Sequence, residues 1–390
     1  MNSSTALEGL TVIDLSRILA GPWATQTLAD LGADVIKVEA VEKGDDTRHW
    51  GPPWVKDTHG SDTNESAYFQ CANRGKKSIT IDLNSQDDLY TLLELISGAD
   101  ILVENFKVGG IKRFGLDYET LAQSNPGLIY CSITGFGQTG PYASKPGYDF
   151  IIQAMGGLMS ITGEPDGQPG AGPQKIGVAL SDIMTGLYAT IGILAAVNER
   201  QVSGMGQQVD LSLLDVTAAT LANQATNYLV GGIVPGRLGN AHPNIVPYQA
   251  FKTSDSYMIV AIGNDEQFLR YAKLINEEWL IKDERFSTNK MRVKYRKELI
   301  PILESAMLKN TTDTWLRLMS MQGIAAGPIN SIEDVFNDPQ ILSRGMCVEL
   351  EQEGGATVKV AGNPIKLSRT PVKYTNAPPL LGEHNDELKR

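Results

Sequence analysis

A doubly wound α/β domain followed by a smaller α+β domain is the fold class that this sequence predicts. Two observations carry the prediction. Apolar runs of strand length alternate with helix-period segments from residue 10 to about 200, the pattern of a parallel sheet covered by helices on both faces. After Val230 the alternation stops: GGIVPGRLGNAHPNIVPYQAF is rich in Gly and Pro and reads as a long connection, and beyond it one strand leads into mostly helical patterns. The bounds expected are 1–224 for the large domain, 225–330 for the small one, and 331–390 for a C-terminal segment.

Taken in order, Leu10–Leu15 reads as a buried strand, Ser16–Pro22 as a loop, the region around Trp23–Leu31 as a helix, and Asp34–Val38 as a strand ending in Glu39. Such a βαβ opening brings a loop and a helix N-terminus to the carboxyl edge of the sheet, where α/β folds bind ligands. Gly44–Tyr68, with Pro52, Pro53 and Trp54, reads as irregular cover. Lys77–Leu83 is a strand, Asp87–Ser97 a helix with Leu89, Leu92, Leu93 and Ile96 on one face, and Asp100–Glu104 a strand. Tyr118–Ser124 is a short helix and Leu128–Ile133 a strand. Ile176–Val197 is an almost uncharged helix in which Leu187, Ile191 and Leu194 recur at helical spacing. Gly206–Leu214 fits either a strand or the start of a helix. In the small domain Met258–Ile262 is a strand, and Asp265–Leu274, Lys294–Leu308 and Thr312–Gln322 are helical, with Pro301 expected to kink or restart the second. Glu351–Asn363 reads as a hairpin turning at Gly354–Gly355, and Pro378–Arg390 as a polar surface tail.

Composition excludes several classes. The 34 basic and 45 acidic residues give a net charge of −11, which argues against non-specific binding of nucleic acid or anionic membrane. Cys71, Cys131 and Cys347 are far apart and odd in number, so a reducing, cytoplasmic setting is expected. His49, His59, His242 and His384 are scattered, and no metal site is expected. MNSSTALEGL has no signal-peptide core, and Asp182 with nearby glycines makes Ile176–Val197 a better buried helix than a membrane span.

Among the motifs, Gly135-Phe-Gly137-Gln-Thr-Gly140 has the spacing of a dinucleotide loop, but Pro141 comes at once and blocks the helix such a site needs. NAD binding is therefore not expected. Basic residues in the loops of the first third, Arg74 and Arg113 among them, could converge on a phosphorylated ligand, although exposed lysines and arginines are ordinarily just solvated. Gly263-Asn264-Asp265 reads as a strand-to-helix turn capped by Asp265. Asp182 is the only charged residue between Lys175 and Glu199. Asp is a favoured N-cap, and on residues alone the cap is the better reading.

Larger segments carry a resemblance. VIDLSRILAGP (Val12–Pro22), LGADVIKVE (Leu31–Glu39), NRGKKSITIDL (Asn73–Leu83), VENF (Val103–Phe106) and GFGQTGPYASKPGYD (Gly135–Asp149) resemble the class III CoA-transferases. So do SDIMTG (Ser181–Gly186), GQQVDLSLLD (Gly206–Asp215), GNAHPNIVPYQ (Gly239–Gln249) and LGEH (Leu381–His384), the likeness being greatest to the succinyl-CoA:dicarboxylate branch. The resemblance implies a Rossmann-like large domain to which the C-terminal segment returns, and a homodimer of interlocked rings. It makes Asp182 the nucleophile, overriding the cap. It implies CoA contacts from Arg17, Ile18, Leu19 and Ala20, from Lys37, Asn73 and Arg74, and from Asn105, Phe106 and Arg113. Gly263 is the expected oxyanion donor. Tyr148, Asn240, His242 and Arg237 are expected at the acid substrate, with Lys145 as an alternative partner for a second carboxylate.

The substrates implied are an acyl-CoA and a carboxylic acid, with no tightly bound cofactor. Leu19 stands where formyl-CoA transferases often carry Gln, which argues against formate and oxalate. The alternatives are a 2-methylacyl-CoA racemase of the same superfamily and a non-catalytic nucleotide-binding protein. Racemases carry a histidine in a G-H-D segment that here reads Gly147-Tyr148-Asp149, so an imidazole base is missing.

Overall fold

The computed structural model describes residues 5–389. The chain forms two compact units: one holds the chain up to Met159, Lys175–Ile233 and Pro339 onward, the other Ser160–Gln174 and Val234–Asp338.

The first unit is built on six strands: β1 (Thr11–Asp14), β2 (Asp34–Glu39), β3 (Lys76–Thr80), β4 (Ile101–Glu104), β5 (Ile129–Thr134) and β6 (Gln208–Ser212). Their order is β3-β2-β1-β4-β5-β6 and every neighbouring pair is parallel. Both faces are covered, which is why these strands read as continuous apolar runs. Val12, Ile101, Val103, Ile129 and Cys131 face one core layer with Leu28, Ala189 and Ile193. Their neighbours Ile13, Leu102 and Tyr130 face the other with Leu92, Ile96 and Leu121. The strand order reverses between β1 and β4, and the carboxyl ends of those two strands flank the point where open α/β sheets bind ligands.

Five helices matter to the site: α1 (Ala20–Asp30), α2 (Gln86–Ser97), α3 (Tyr118–Ser124), α4 (Asp149–Met155) and α5 (Leu180–Ser203). Helix α5 has the length and apolar composition of a membrane span, but Ala189, Ile193 and Ala196 pack in the core of the unit. It ends at Gly204, whose φ of 76° is left-handed. Near its start it crosses α1 closely: a Cβ on Gly186 would lie 2.6 Å from the Ala20 carbonyl oxygen.

Several expectations are corrected. Gly44–Tyr68 contains an antiparallel pair, Trp54–Lys56 with Asp62–Ser66, hidden because DTNES has no apolar alternation. Gly206–Leu214 is both alternatives in turn: β6, then a helix Leu213–Thr220 capped by Ser212. The hairpin turns at Gly354–Gly355 as expected, but its first strand is Cys347–Glu351. The tail is not simply a surface tail. Pro378 and Pro379 are buried, the His384 N–H donates to the Ser78 carbonyl, and the Ser78 N–H donates to His384 Nδ1. The tail thus binds the free edge of β3.

The second unit has an antiparallel sheet of Tyr248–Lys252, Tyr257–Ala261 and Ala325–Pro328. Helices Asp265–Leu274, Arg296–Met307 and Thr312–Met321 enclose a core of Phe251, Met258, Phe268, Leu303 and Trp315. Pro301 lies inside its helix without ending it; the helical run breaks at Tyr295 instead. Asn264, not Asp265, caps the helix after Gly263, and Asp265 pairs with the buried Arg292 at 2.6 Å.

Candidate active site

At the carboxyl ends of β1, β4 and β5 lies a cavity of about 720 Å³, contained in the first unit. The turn Arg17–Ala20 after β1 forms one wall and Asn105–Gly110 after β4 another. Ala143–Tyr148 and Asp182 close it. Four cations line it, Arg17, Lys107, Arg113 and Lys145, against two carboxylates, Asp46 and Asp182.

Asp182 lies in the first turn of α5, whose N-cap position is Ala179 with no side-chain cap. The free amides there are taken by another residue. Asp149 at the start of α4 accepts from the Ser181 N–H at 2.8 Å and the Asp182 N–H at 3.3 Å. The cap reading of Asp182 is thereby corrected: Asp149 does that work, and the Asp182 carboxylate is left to the cavity. Burial, together with the neighbouring Asp149 charge, pushes the Asp182 carboxyl up to about 7. A carboxyl of this kind in a cleft is where chemistry is expected.

The turn after β1 is held under strain. Ile18 has a φ of 73°, which for a β-branched residue costs on the order of 1–3 kcal/mol. Arg17 reaches Asp46 at 2.8 Å, both side chains being well exposed. Arg113 lies over the Phe114 ring at 4.5 Å, and Lys145 over Tyr142 at 3.9 Å. Glu104, buried at the end of β4, accepts the Phe106 N–H at 2.7 Å and fixes the start of the second wall.

The structure brings together Arg17, Ile18, Leu19, Ala20, Asn105 and Phe106, and with them Arg113, Tyr148 and Asp182. Three other expected CoA ligands do not line this cavity. Lys37 is fully buried and donates to Asp45 and to the Ser16 carbonyl, each at 2.9 Å. Asn73 is buried between the Phe69 carbonyl and Lys76. Arg74 makes a two-pronged pair with Asp30 at 2.8 and 2.6 Å. All three sit near strand ends, as the sequence indicates, but face inward, where only a partnered charge is tolerated.

Four expected residues belong to the second unit. The Gly263 N–H donates to Gln267 Oε1 at 2.7 Å and is not a free oxyanion donor in this state. Arg237 is paired with Asp166. His242 Nδ1 accepts the Asn244 N–H at 3.1 Å, and Asn240 is exposed. The residue that sequence reasoning missed is Asp149, 33 positions before the amide it caps; no spacing rule connects them.

The sequence model of CoA-transferase family III matches residues 7–385. The succinate–glutarate CoA-transferase of Agrobacterium fabrum is 50% identical over 387 residues, which are 99% of this chain and 96% of that protein. The succinyl-CoA:glutarate CoA-transferase of Homo sapiens is 42% identical over 388 residues, 100% of this chain and 86% of that one. In fold, the crystal structure of a CAIB/BAIF family protein from Brucella suis superposes with a TM-score of 0.87 at 49% identity, covering 99% of each chain.

Proposed function

The chain belongs to CoA-transferase family III, and from that premise we propose that it carries CoA from succinyl-CoA to a dicarboxylic acid by way of Asp182. The single observation behind this is the Asp182 carboxylate, relieved of capping by Asp149 and facing a cavity walled by cationic loops. Relatives named for succinyl-CoA with glutarate, mesaconate and D-citramalate support the donor and the class of acceptor. Glutarate leads because relatives 50% and 43% identical to this chain are both named for it.

In this reading Asp182 attacks the donor thioester carbonyl, forming a mixed aspartyl–acyl anhydride and releasing CoA thiolate. The thiolate attacks the aspartyl carbonyl, giving an aspartyl-CoA thioester and the free donor acid. The acceptor carboxylate attacks that thioester and expels thiolate again. Attack of the thiolate on the acceptor's own carbonyl then yields the new acyl-CoA and restores Asp182. Each step exchanges one activated carbonyl for another, so the thioester's energy is conserved, and the covalent intermediates divide one hard exchange into easier ones. Lys145 at the cavity edge is the proposed partner of the acceptor's distal carboxylate. The three unpaired cysteines fit a cytoplasmic setting.

Mass analysis of products from succinyl-CoA with a panel of acids tests the substrate assignment, glutaryl-CoA being expected. Asp182→Ala should bind acyl-CoA but lose several orders of magnitude in turnover; more than about one per cent of wild-type rate would sink the covalent route. The same reading includes a homodimer, supported by the exposed apolar side chains of Ile191, Leu229 and Val230 in the first unit. Sedimentation at falling concentration should show a persistent dimer, and a folded, active monomer would refute it.

A further inference from the structure

Lys37, Asn105 and Asp45, all distant in sequence, bond the backbone of the turn after β1 from Ser16 to Ile18. The Ser16 carbonyl accepts from Lys37 Nζ at 2.9 Å. The Arg17 N–H donates to Asn105 Oδ1 at 3.1 Å, and the Arg17 carbonyl accepts from Asn105 Nδ2 at 2.7 Å. The Ile18 N–H donates to both oxygens of Asp45 at 3.2 Å. Asp45 is itself fixed, buried against Lys37 at 2.9 Å and accepting from the Thr47 N–H and hydroxyl. The residue held in this cradle is Ile18, the one whose φ is 73°. The start of α1, just beyond the turn, packs closely on α5: a Cβ on Gly186, one helical turn past Asp182 on the same face, would lie 2.6 Å from the Ala20 carbonyl oxygen.

We propose that Lys37, Asp45 and Asn105 are positioning residues that hold the Ser16–Leu19 turn, through left-handed Ile18, in the form that seats the acyl-CoA thioester against Asp182. The inference rests on the CoA-transferase reading of the cavity. It gives the buried Lys37–Asp45 pair a purpose that stability alone does not, since apolar residues of similar volume would serve a core at least as well. It also reassigns Lys37 from a CoA ligand to a support for the wall that CoA meets.

The test is Asn105→Ala, made in the wild-type chain and again in an Ile18→Gly background. Asn105→Ala should lower kcat about tenfold while changing the acyl-CoA KM less than about threefold, the signature of lost alignment rather than lost binding. Amide exchange at Ile18, whose acceptor Asp45 is untouched, should quicken about tenfold or more as the turn loosens. In the Ile18→Gly background the same substitution should cost at most about threefold in kcat, because glycine holds a positive φ without penalty. A raised KM with unchanged kcat would make Asn105 a plain ligand and overturn the proposal. So would equal losses in both backgrounds, or an Ile18 amide that exchanges as before. A wild-type protein with no transferase activity would remove the functional reading instead, and the Ile18 amide would then decide alone whether the cradle exists.

Discussion

Asp182 and Asp149 divide between them two tasks that the sequence offers to either. A carboxylate in a helix's first turn is ordinarily stabilised by the amides there; here Asp149 occupies those amides and its charge faces Asp182. The pH dependence has a definite sign. A nucleophilic carboxylate must be ionised, and burial, aided by Asp149, raises Asp182 to about 7. The kcat/KM for acyl-CoA should therefore fall on the acid side with a midpoint near 7 and level off above it. Asp149→Asn removes the neighbouring charge while keeping an oxygen for the cap, so the midpoint should move to lower pH, though burial keeps it above an ordinary aspartate. A pH–rate profile with an unmoved midpoint would mean that another group, such as the buried Glu104, also raised to about 7, governs the limb. At this scale the sequence is legible in residue type and blind to direction. Arg17, Asn105 and Arg113 face the cavity, while Lys37, Asn73 and Arg74, equally basic or polar and equally near strand ends, turn inward.

Elements were more legible than residues because burial on both faces writes a strand plainly. The strands of the parallel sheet coincide with runs such as TVID, DVIKVE and IYCSIT, although QVDLS of β6, at the sheet's edge, suits a helix start as well. The pair Trp54–Lys56 and Asp62–Ser66 was not legible, since its second strand carries no apolar residue. Nor does a run of small residues in α5 reveal which of them meets a neighbour. The structure singles out Gly186, where a Cβ would stand 2.6 Å from the Ala20 carbonyl oxygen and 3.1 Å from Trp23 Cβ. Backbone cannot swing aside as a flexible side chain can, so Gly186→Ala must separate α1 from α5. Overpacking of this kind costs roughly 1–3 kcal/mol. Calorimetry should show that loss, and kcat should fall with it, because the displaced start of α1 is part of the cavity wall beside Asp182. A variant as stable and active as the parent would show that the two helices can part at that crossing without cost.

On the scale of the whole molecule, charge is the quantity that matters. A net charge of −11 repels a polyanion such as an acyl-CoA, and nothing in that total tells where the sign reverses. The cavity reverses it, with four cations against two carboxylates. Arg113 is the cation to test first. Arg113 is not engaged with nearby Asp117: Asp117 accepts from the Thr120 N–H and hydroxyl as the cap of α3, and Arg113 lies over Phe114 at the cavity wall. Its planar guanidinium can take a phosphate through two parallel hydrogen bonds, which a lysine cannot reproduce. Charge-assisted bonds of that kind contribute roughly 1.5–3 kcal/mol, so Arg113→Ala should raise the KM for acyl-CoA about tenfold or more. The KM for the acceptor acid should move far less, because that substrate carries no phosphate. The ratio of variant to wild-type KM should also shrink as salt is added, since attraction to an exposed cation is screened within about 10 Å at 0.1 M ionic strength. Equal losses for both substrates would mean that Arg113 shapes the wall rather than binding phosphate, and no loss at all would leave the phosphates to Arg17 and Lys107.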